Sequence, residues 1–350
     1  MTRRVVVVGA DAAGMSAASQ ALRRAGQDVL EVVAFERGHH VSYSACGIPY
    51  WVAGDVDSAN ALIARSAAEH RANGIDLRLR TEVTEIDLDA STVTATQLDG
   101  GVSYQVGFDD LVLATGAVPV RPNLPGVVAP GRYGVQTLDD GAAVLRALTE
   151  RPRRAVVVGG GYIGIEMAEA MVRRGLPVTV VDRAPEPMAT LDPDMGVLVR
   201  EAMEGMGITV LTGIPVTGFE TGPGGRVSGV VTEGGTLPAD LVVLGLGVRP
   251  ASELARAAGL PLDEHGGVLT DLRMSSAGSR QGVGRRRLRR GAAPRLATPS
   301  ARGIGNPRHQ AWQGDRHETE RRLRDLPRSG WHRGQQGLRS RGRPDRAVGG

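Results

Sequence analysis

The 350 residues allow two or three domains, and their net charge of +4 averages two unlike pieces. Residues 1–275 carry 23 Arg against 33 Asp and Glu, whereas residues 276–350 carry 19 Arg against 5 acids and only eight Leu, Ile, Val or Phe, too few for a core. One cysteine, no lysine, no cleavable leader and no long apolar run exclude a disulfide scaffold and a membrane-spanning helix, and predict a soluble cytoplasmic protein with a reduced thiol.

Arg4–Val8 is a short β-branched run ending at glycine, which predicts a parallel strand covered on both faces. Gly9-Ala-Asp-Ala-Ala-Gly14 is the turn after it. Met15, Ala18 and Leu22 then fall on one helical face, Arg23 and Arg24 suit the C-terminal end of the helix dipole, and Gly26 can cap it. A second strand over Val29–Phe35 ends at Glu36. Strand, glycine turn, helix, strand and acid form the unit that sets a pyrophosphate at a helix N-terminus and a ribose on a carboxylate. Its second glycine position holds Asp11.

Next comes Val41-Ser-Tyr-Ser-Ala-Cys46-Gly-Ile-Pro-Tyr50, with the single thiol. Cys46 has no disulfide partner and no cluster of metal ligands around it, so no metal site is expected. Two readings remain, a small buried hydrophobe or an exposed, reactive thiolate beside whatever the glycine turn binds. The polar turn before it and Gly47 after it favour the second. His39 and His40 read as exposed loop residues.

Beyond lie a helix near Ser66–Asn73, a strand over Leu77–Arg80, a meander through Thr84–Gln105 and a buried strand within Phe108–Gly116. Pro119, Pro122 and Pro125 stiffen a crossing. The opening pattern then returns 150 residues on. Ala155–Val158 leads into Gly159-Gly-Gly-Tyr-Ile-Gly164, a helix ends at Arg173-Arg174-Gly175, and the strand Val178–Val181 ends at Asp182. Two such units, each closing on an acid, predict two dinucleotide sites. Ala239–Gly247 repeats the buried strand. The organisation expected is α/β, with a first domain over 1–118, a second inserted over 119–246, a return to the first over 247–275, and a tail over 276–350.

Gly9–Gly14, Glu36, Ser42-x-x-x-Cys46-Gly47, Ala114-Thr115-Gly116, Gly159–Gly164 with Glu166, and Asp240–Gly247 together resemble the single-cysteine pyridine nucleotide-disulfide oxidoreductases. That group includes coenzyme A disulfide reductases, NADH oxidases and NADH peroxidases. The resemblance covers residues 3–275 and implies two Rossmann-like domains arranged as in glutathione reductase. FAD is implied in the first, with contacts from Gly9, Ala12, Gly14, Glu36, Arg37, Ser42, Thr115, Gly116 and Gly247. NADH or NADPH is implied in the second, with contacts from Gly159, Gly161, Tyr162, Ile163, Gly164, Glu166, Asp182 and Arg183.

Cys46 is implied as the catalytic thiol with Ser42 beside it, in a homodimer without membrane or nucleic-acid partners. A lone cysteine must form either a mixed disulfide with a small thiol such as coenzyme A, or a sulfenic acid on the way to reducing oxygen. Ala12 stands where the peroxidases have a histidine, which removes a proton donor and favours reductase or oxidase chemistry. Ala45 stands where the coenzyme A reductases commonly have Asn. Asp182 suits NADH, while Arg183 would suit the 2′-phosphate of NADPH. An alternative is a flavoprotein reductase for an iron-sulfur partner, which has no need of Cys46.

The resemblance also implies a Gly-Asp FAD motif and an interface domain after residue 275, and neither is present. Gly282-Val-Gly-Arg-Arg-Arg-Leu-Arg289, read one base later, permits Val-Trp-Ala-Ala-Gly-Asp-Cys-Val, which contains that motif. Gly303–Gln313 permits Ala-Leu-Gly-Thr-His-Ala-Thr-Lys-His-Gly-Arg in the same shifted frame. The tail is therefore expected to be disordered and out of frame from a point between Ser275 and Gly282, in preference to a nucleic-acid-binding extension. A chain with this tail is expected to bind FAD poorly, to dimerise doubtfully and to be impaired or non-functional.

Overall fold

Four successive valines leave no polar face, so the strand they form has to be covered on both sides. In the computed structural model, which describes residues 2–272 and 274–276 and the backbone of Leu288–Arg289, they form β1 (Arg3–Val8), with Val6 and Val7 at 0% exposure. The helix α1 (Ala12–Ala25) buries Met15, Ala18 and Leu22, and the Gly26 N–H donates to the Leu22 carbonyl where the helix ends. β2 (Leu30–Phe35) runs parallel to β1.

A short helix α2 (Ile48–Ala53) follows the thiol segment, and α3 (Ala67–Ala72) starts from a reciprocal cap between Ser66 and Glu69. β3 (Ile75–Arg78) is parallel to β2. The strand predicted over Leu77–Arg80 is thus displaced toward the N-terminus, because Arg80 adopts φ 52° and turns the chain into the next element. The predicted meander is present as β4 (Thr81–Asp87), β5 (Thr92–Gln97) and β6 (Ser103–Gly107), all antiparallel. β7 (Asp110–Leu113) then completes the order β3-β2-β1-β7, with the first strand inside the sheet.

β8 (Ala117–Pro119) leads to a second parallel sheet made in the same way. Its elements are β9 (Arg132–Tyr133), α4 (Leu138–Thr149), β10 (Ala155–Val158), α5 (Tyr162–Arg173), β11 (Val178–Val181), α6 (Pro193–Gly205) and β12 (Thr209–Leu211). After the antiparallel β13 (Val216–Thr221), β14 (Val227–Thr232) and β15 (Gly235–Pro238), β16 (Leu241–Leu244) enters beside β10. The order is β12-β11-β10-β16-β9.

β17 (Val248–Pro250) comes back antiparallel to β8, and α7 (Glu253–Ala257) places Ala255 in one core with Val83 and Ile86. β18 (Ser275–Ser276) pairs with β19 (Leu288–Arg289), which lies parallel to β7 at Leu111. The edge of β7 offers backbone N–H and C=O groups that this neighbouring strand satisfies. The rest of the expected disordered, out-of-frame tail lies outside the described residues. Among the described residues no helix is long and apolar enough to cross a membrane.

Candidate functional site

In both units the chain leaves the central strand through a glycine at positive φ, Gly9 at 95° and Gly159 at 105°, a conformation that side chains with a Cβ avoid. Space is equally tight. A Cβ on Gly9 would lie 2.3 Å from the Ala114 carbonyl oxygen, and one on Gly159 would lie 2.5 Å from that of Gly245. The third glycines are closer still, since a Cβ on Gly14 or Gly164 would meet the carbonyl oxygen of Gly9 or Gly159 at 1.9 Å. The helix N-terminus is thereby drawn onto the strand's end at the switch point of each sheet, where the ligands of such folds bind. Gly161 has open space at its Cβ position. Asp11, its counterpart, is the N-cap of α1 without a side-chain capping bond.

The acids close the two turns alike. Glu36 Oε2 accepts from the Ala10 N–H at 2.9 Å and Oε1 from Gly38 at 2.8 Å. Asp182 Oδ2 accepts from the Gly160 N–H and Oδ1 from Ala184 at 2.7 Å. These backbone cradles, each with a carboxylate at the end of the next strand, fit the pyrophosphate and ribose of an adenine dinucleotide.

Other expected contacts are spread around the same openings. Ala12 and Gly14 open α1. Arg37 is largely exposed and lies 3.7 Å from Glu82. The Thr115 hydroxyl donates to the Ala251 carbonyl at 2.7 Å, and the Gly116 carbonyl accepts from the Ala251 N–H. Gly247, at φ 82°, accepts from Val120 through its carbonyl. Thr115, Gly116 and Gly247 thus tie the β8/β17 ribbon where the chain passes between the sheets. On the second opening Tyr162 and Ile163 are exposed at the start of α5, Glu166 is half-buried one turn later, and Arg183 is exposed beside Asp182.

Cys46 is exposed, so the buried-hydrophobe reading is set aside. It sits in a tight turn over Ala45–Gly47, fixed by the Ser44 N–H donating to Leu62 and the Gly47 N–H donating to Ser44. A Cβ on Gly47 would strike Leu62 at 2.3 Å. Immediately afterwards Ile48 and Val52 enter the core of the second unit with Val144, Met167 and Met171. Arg174 donates to the Val52 carbonyl and Arg173 pairs with Asp55. The thiol turn therefore belongs by chain to the first unit and by packing to the second.

Sequence reading missed several residues of this region. Gly141 of α4 lets Ile48 and Trp51 approach, since its Cβ would lie 2.9 Å from Ile48. A Cβ on Gly245 would lie 2.9 Å from the Gly164 Cα, so the two glycines pack closely. His70 of α3 is buried, and its Nε2 lies 2.8 Å from the Ser42 Oγ. His39 pairs with Asp139 of the second unit at 2.9 Å, and His40, only half-buried, approaches the same carboxylate at 3.8 Å. Of these, only His39 and His40 are singled out along the chain, as exposed loop residues, and His70 falls within the helix expected near Ser66–Asn73.

With this geometry in place, comparison with known proteins is informative. The sequence pattern of the pyridine nucleotide-disulphide oxidoreductase family matches residues 3–283. An NADH oxidase of Methanocaldococcus jannaschii is 35% identical over 262 residues, 73% of this chain and 57% of its own. A CoA-dependent NAD(P)H sulfur oxidoreductase of Pyrococcus abyssi is 35% identical over 277 residues, 79% of this chain and 60% of its own. The solved structure of an NAD-dependent persulfide reductase from A. fulgidus superposes with a TM-score of 0.75 at 34% identity, over 78% of this chain and 51% of that one. The chain thus spans little more than half the length of the proteins it resembles.

Proposed function

Because the chain belongs to the pyridine nucleotide-disulphide oxidoreductase family, we propose that it is a cytoplasmic NAD(P)H-dependent flavin oxidoreductase whose Cys46 reduces a small disulfide or persulfide of the coenzyme A type. Reduction of oxygen through the same thiol is the other outcome its relatives' names suggest. The observation that carries the reading is an exposed single thiol whose turn follows the first nucleotide cradle along the chain and leads straight into the core of the second unit. Residues 1–118 and 247–275 serve FAD, and residues 119–246 serve the nicotinamide nucleotide. FAD, when bound, takes a hydride from the nicotinamide and makes two electrons available to the thiol.

This chain's own groups do the rest. The helix N-termini at the ends of the Gly9–Gly14 and Gly159–Gly164 turns would hold the pyrophosphates, and Glu36 and Asp182 would accept from ribose hydroxyls. Ala12, Arg37, Thr115, Gly116 and Gly247 would line the first nucleotide. Tyr162, Ile163 and Glu166 would line the second. Ser42 supports the thiol. The Cys46 thiolate attacks one sulfur of the substrate, forms a mixed disulfide and expels the other sulfur as a thiolate. Two electrons of nicotinamide origin then break that bond, restoring the Cys46 thiolate and releasing the second thiol.

Asp182 also bears on cofactor choice, since a carboxylate beside the ribose repels a 2′-phosphate. Mixed rapidly with FAD-saturated protein whose tail is restored to the one-base-shifted frame, NADH should bleach the flavin absorbance at least as fast as NADPH. A strong preference for NADPH would mean that Arg183 outweighs Asp182. No bleaching with either would contradict the proposal.

A further inference from the structure

The loops that carry the two acids are held by the same backbone bonds. In the second unit the Gly213 N–H donates to the Ala184 carbonyl at 2.8 Å and the Ile214 N–H to that of Asp182 at 2.9 Å. In the first unit the Arg80 N–H donates to the Gly38 carbonyl at 3.3 Å and the Thr81 N–H to that of Glu36 at 3.0 Å. Arg80 is thus the counterpart of Gly213, and both are left-handed, at φ 52° and 69°. Glycine suits that conformation, and a Cβ on Gly213 would enter open space. Arginine is strained there. Its backbone makes no bond that a glycine could not make, so the difference between the units lies in its side chain.

That side chain joins two segments. Nε and Nη2 donate to Asp99 Oδ1, in the turn between β5 and β6, at 3.1 and 2.9 Å, and Nη1 donates to the Arg37 carbonyl at 3.2 Å. The Leu98 N–H in the same turn donates to the Arg80 carbonyl at 2.8 Å. The Arg37 carbonyl and the Gly38 N–H belong to one peptide unit, and that N–H donates to Glu36 Oε1 at 2.8 Å while Oε2 accepts from Ala10. In a trans peptide the C=O and N–H lie in one plane on opposite sides, so a donor on the oxygen orients the hydrogen.

We propose that Arg80 is a positioning residue for FAD: by holding the Arg37–Gly38 peptide by its oxygen, it fixes the N–H of the same peptide on Glu36 and so sets that carboxylate for the adenosine ribose. The inference rests on the reading that Glu36 accepts from the ribose hydroxyls of FAD. Titration of FAD by its fluorescence change, on FAD-free protein restored to the one-base-shifted frame, tests this without turnover. In Arg80→Gly the strain released offsets the exposed pair with Asp99 that is lost, so the unfolding temperature should stay within about 3 °C. The FAD dissociation constant should nevertheless rise about fivefold, equivalent to about 1 kcal/mol. Glu36→Ala should weaken FAD binding further, and adding Arg80→Gly to it should cost nothing more. NADH binding, which uses the Gly213 turn, should be unchanged in all three variants.

Unchanged FAD affinity in Arg80→Gly, or an additive loss in the double variant, while Glu36→Ala is weakened, would overturn the role of Arg80 and leave that of Glu36 standing. Unchanged affinity in Glu36→Ala would remove the ribose reading and the inference with it. Should the restored protein take up no FAD, hydrogen exchange on the FAD-free 350-residue chain decides. The Gly38 and Ala10 N–H groups should exchange about fivefold faster in Arg80→Gly, with those of Ala184 and Gly160 unchanged. Equal exchange at Gly38 in parent and variant would contradict the proposal.

Discussion

In the protein restored to the one-base-shifted frame, replacing Cys46 with serine should lower NAD(P)H-dependent turnover with coenzyme A disulfide by on the order of 10³-fold or more, because a hydroxyl cannot carry the mixed disulfide. Reduction of bound flavin by NADH should stay within about twofold of the parent, since neither nucleotide cradle includes Cys46. This split separates the proposed thiol chemistry from a reductase for an iron-sulfur partner, in which electrons leave without the thiol and turnover would survive the change. Serine is a close steric replacement at an exposed turn, so its effect on stability should be within about 0.5 kcal/mol. Turnover with coenzyme A disulfide that survives in Cys46→Ser would eliminate the thiol mechanism.

Two glycines of the second turn should respond differently to the same added methyl group. In Gly164→Ala the Cβ would lie 1.9 Å from the Gly159 carbonyl oxygen, so α5 must move off β10. With backbone on both sides of the clash, the cost belongs near the upper end of overpacking, about 3 kcal/mol. Both thermal stability and NADH affinity should fall. In Gly161→Ala the Cβ enters open space at an ordinary extended φ of −82°, so stability should hold. NADH binding should nevertheless weaken about tenfold or more, because in the proposed site the pyrophosphate approaches the backbone through that space. Thermal unfolding with NADH titration checks the pair. Equal loss of stability in both variants would show that the turn is merely a packing feature.

Much of this arrangement is legible along the chain because backbone geometry at a glycine turn has few solutions. Gly9, Gly14, Gly159 and Gly164 are irreplaceable for reasons local to the turn, and the acids Glu36 and Asp182 follow at the ends of the next strands. Contacts between distant segments leave no such trace. Ser42 and His70 are 28 residues apart, and His39 and Asp139 are 100 apart. Gly141 looks like any helical glycine until Ile48 and Trp51 are packed against it. The displaced strand at Leu77–Arg80 was misplaced because alternating Leu and Arg reads as a strand regardless of where the turn begins, and only the φ of Arg80 decides it. In the tail, Arg285–Arg287 stand where the resemblance implies a Gly-Asp FAD motif, and the out-of-frame reading proposed for it comes from codon degeneracy and from no rule of local structure.

The central claim is that Cys46 takes a thiol from a small disulfide and gives it up to electrons from nicotinamide. Intact mass spectrometry of the protein with its tail restored to the one-base-shifted frame, supplied with excess FAD and treated with coenzyme A disulfide, tests it directly. One coenzyme A adduct per chain should form on Cys46, be absent from Cys46→Ser, and disappear on addition of NADH with no added thiol. An adduct that never forms, or that persists when NADH is present, would contradict the account.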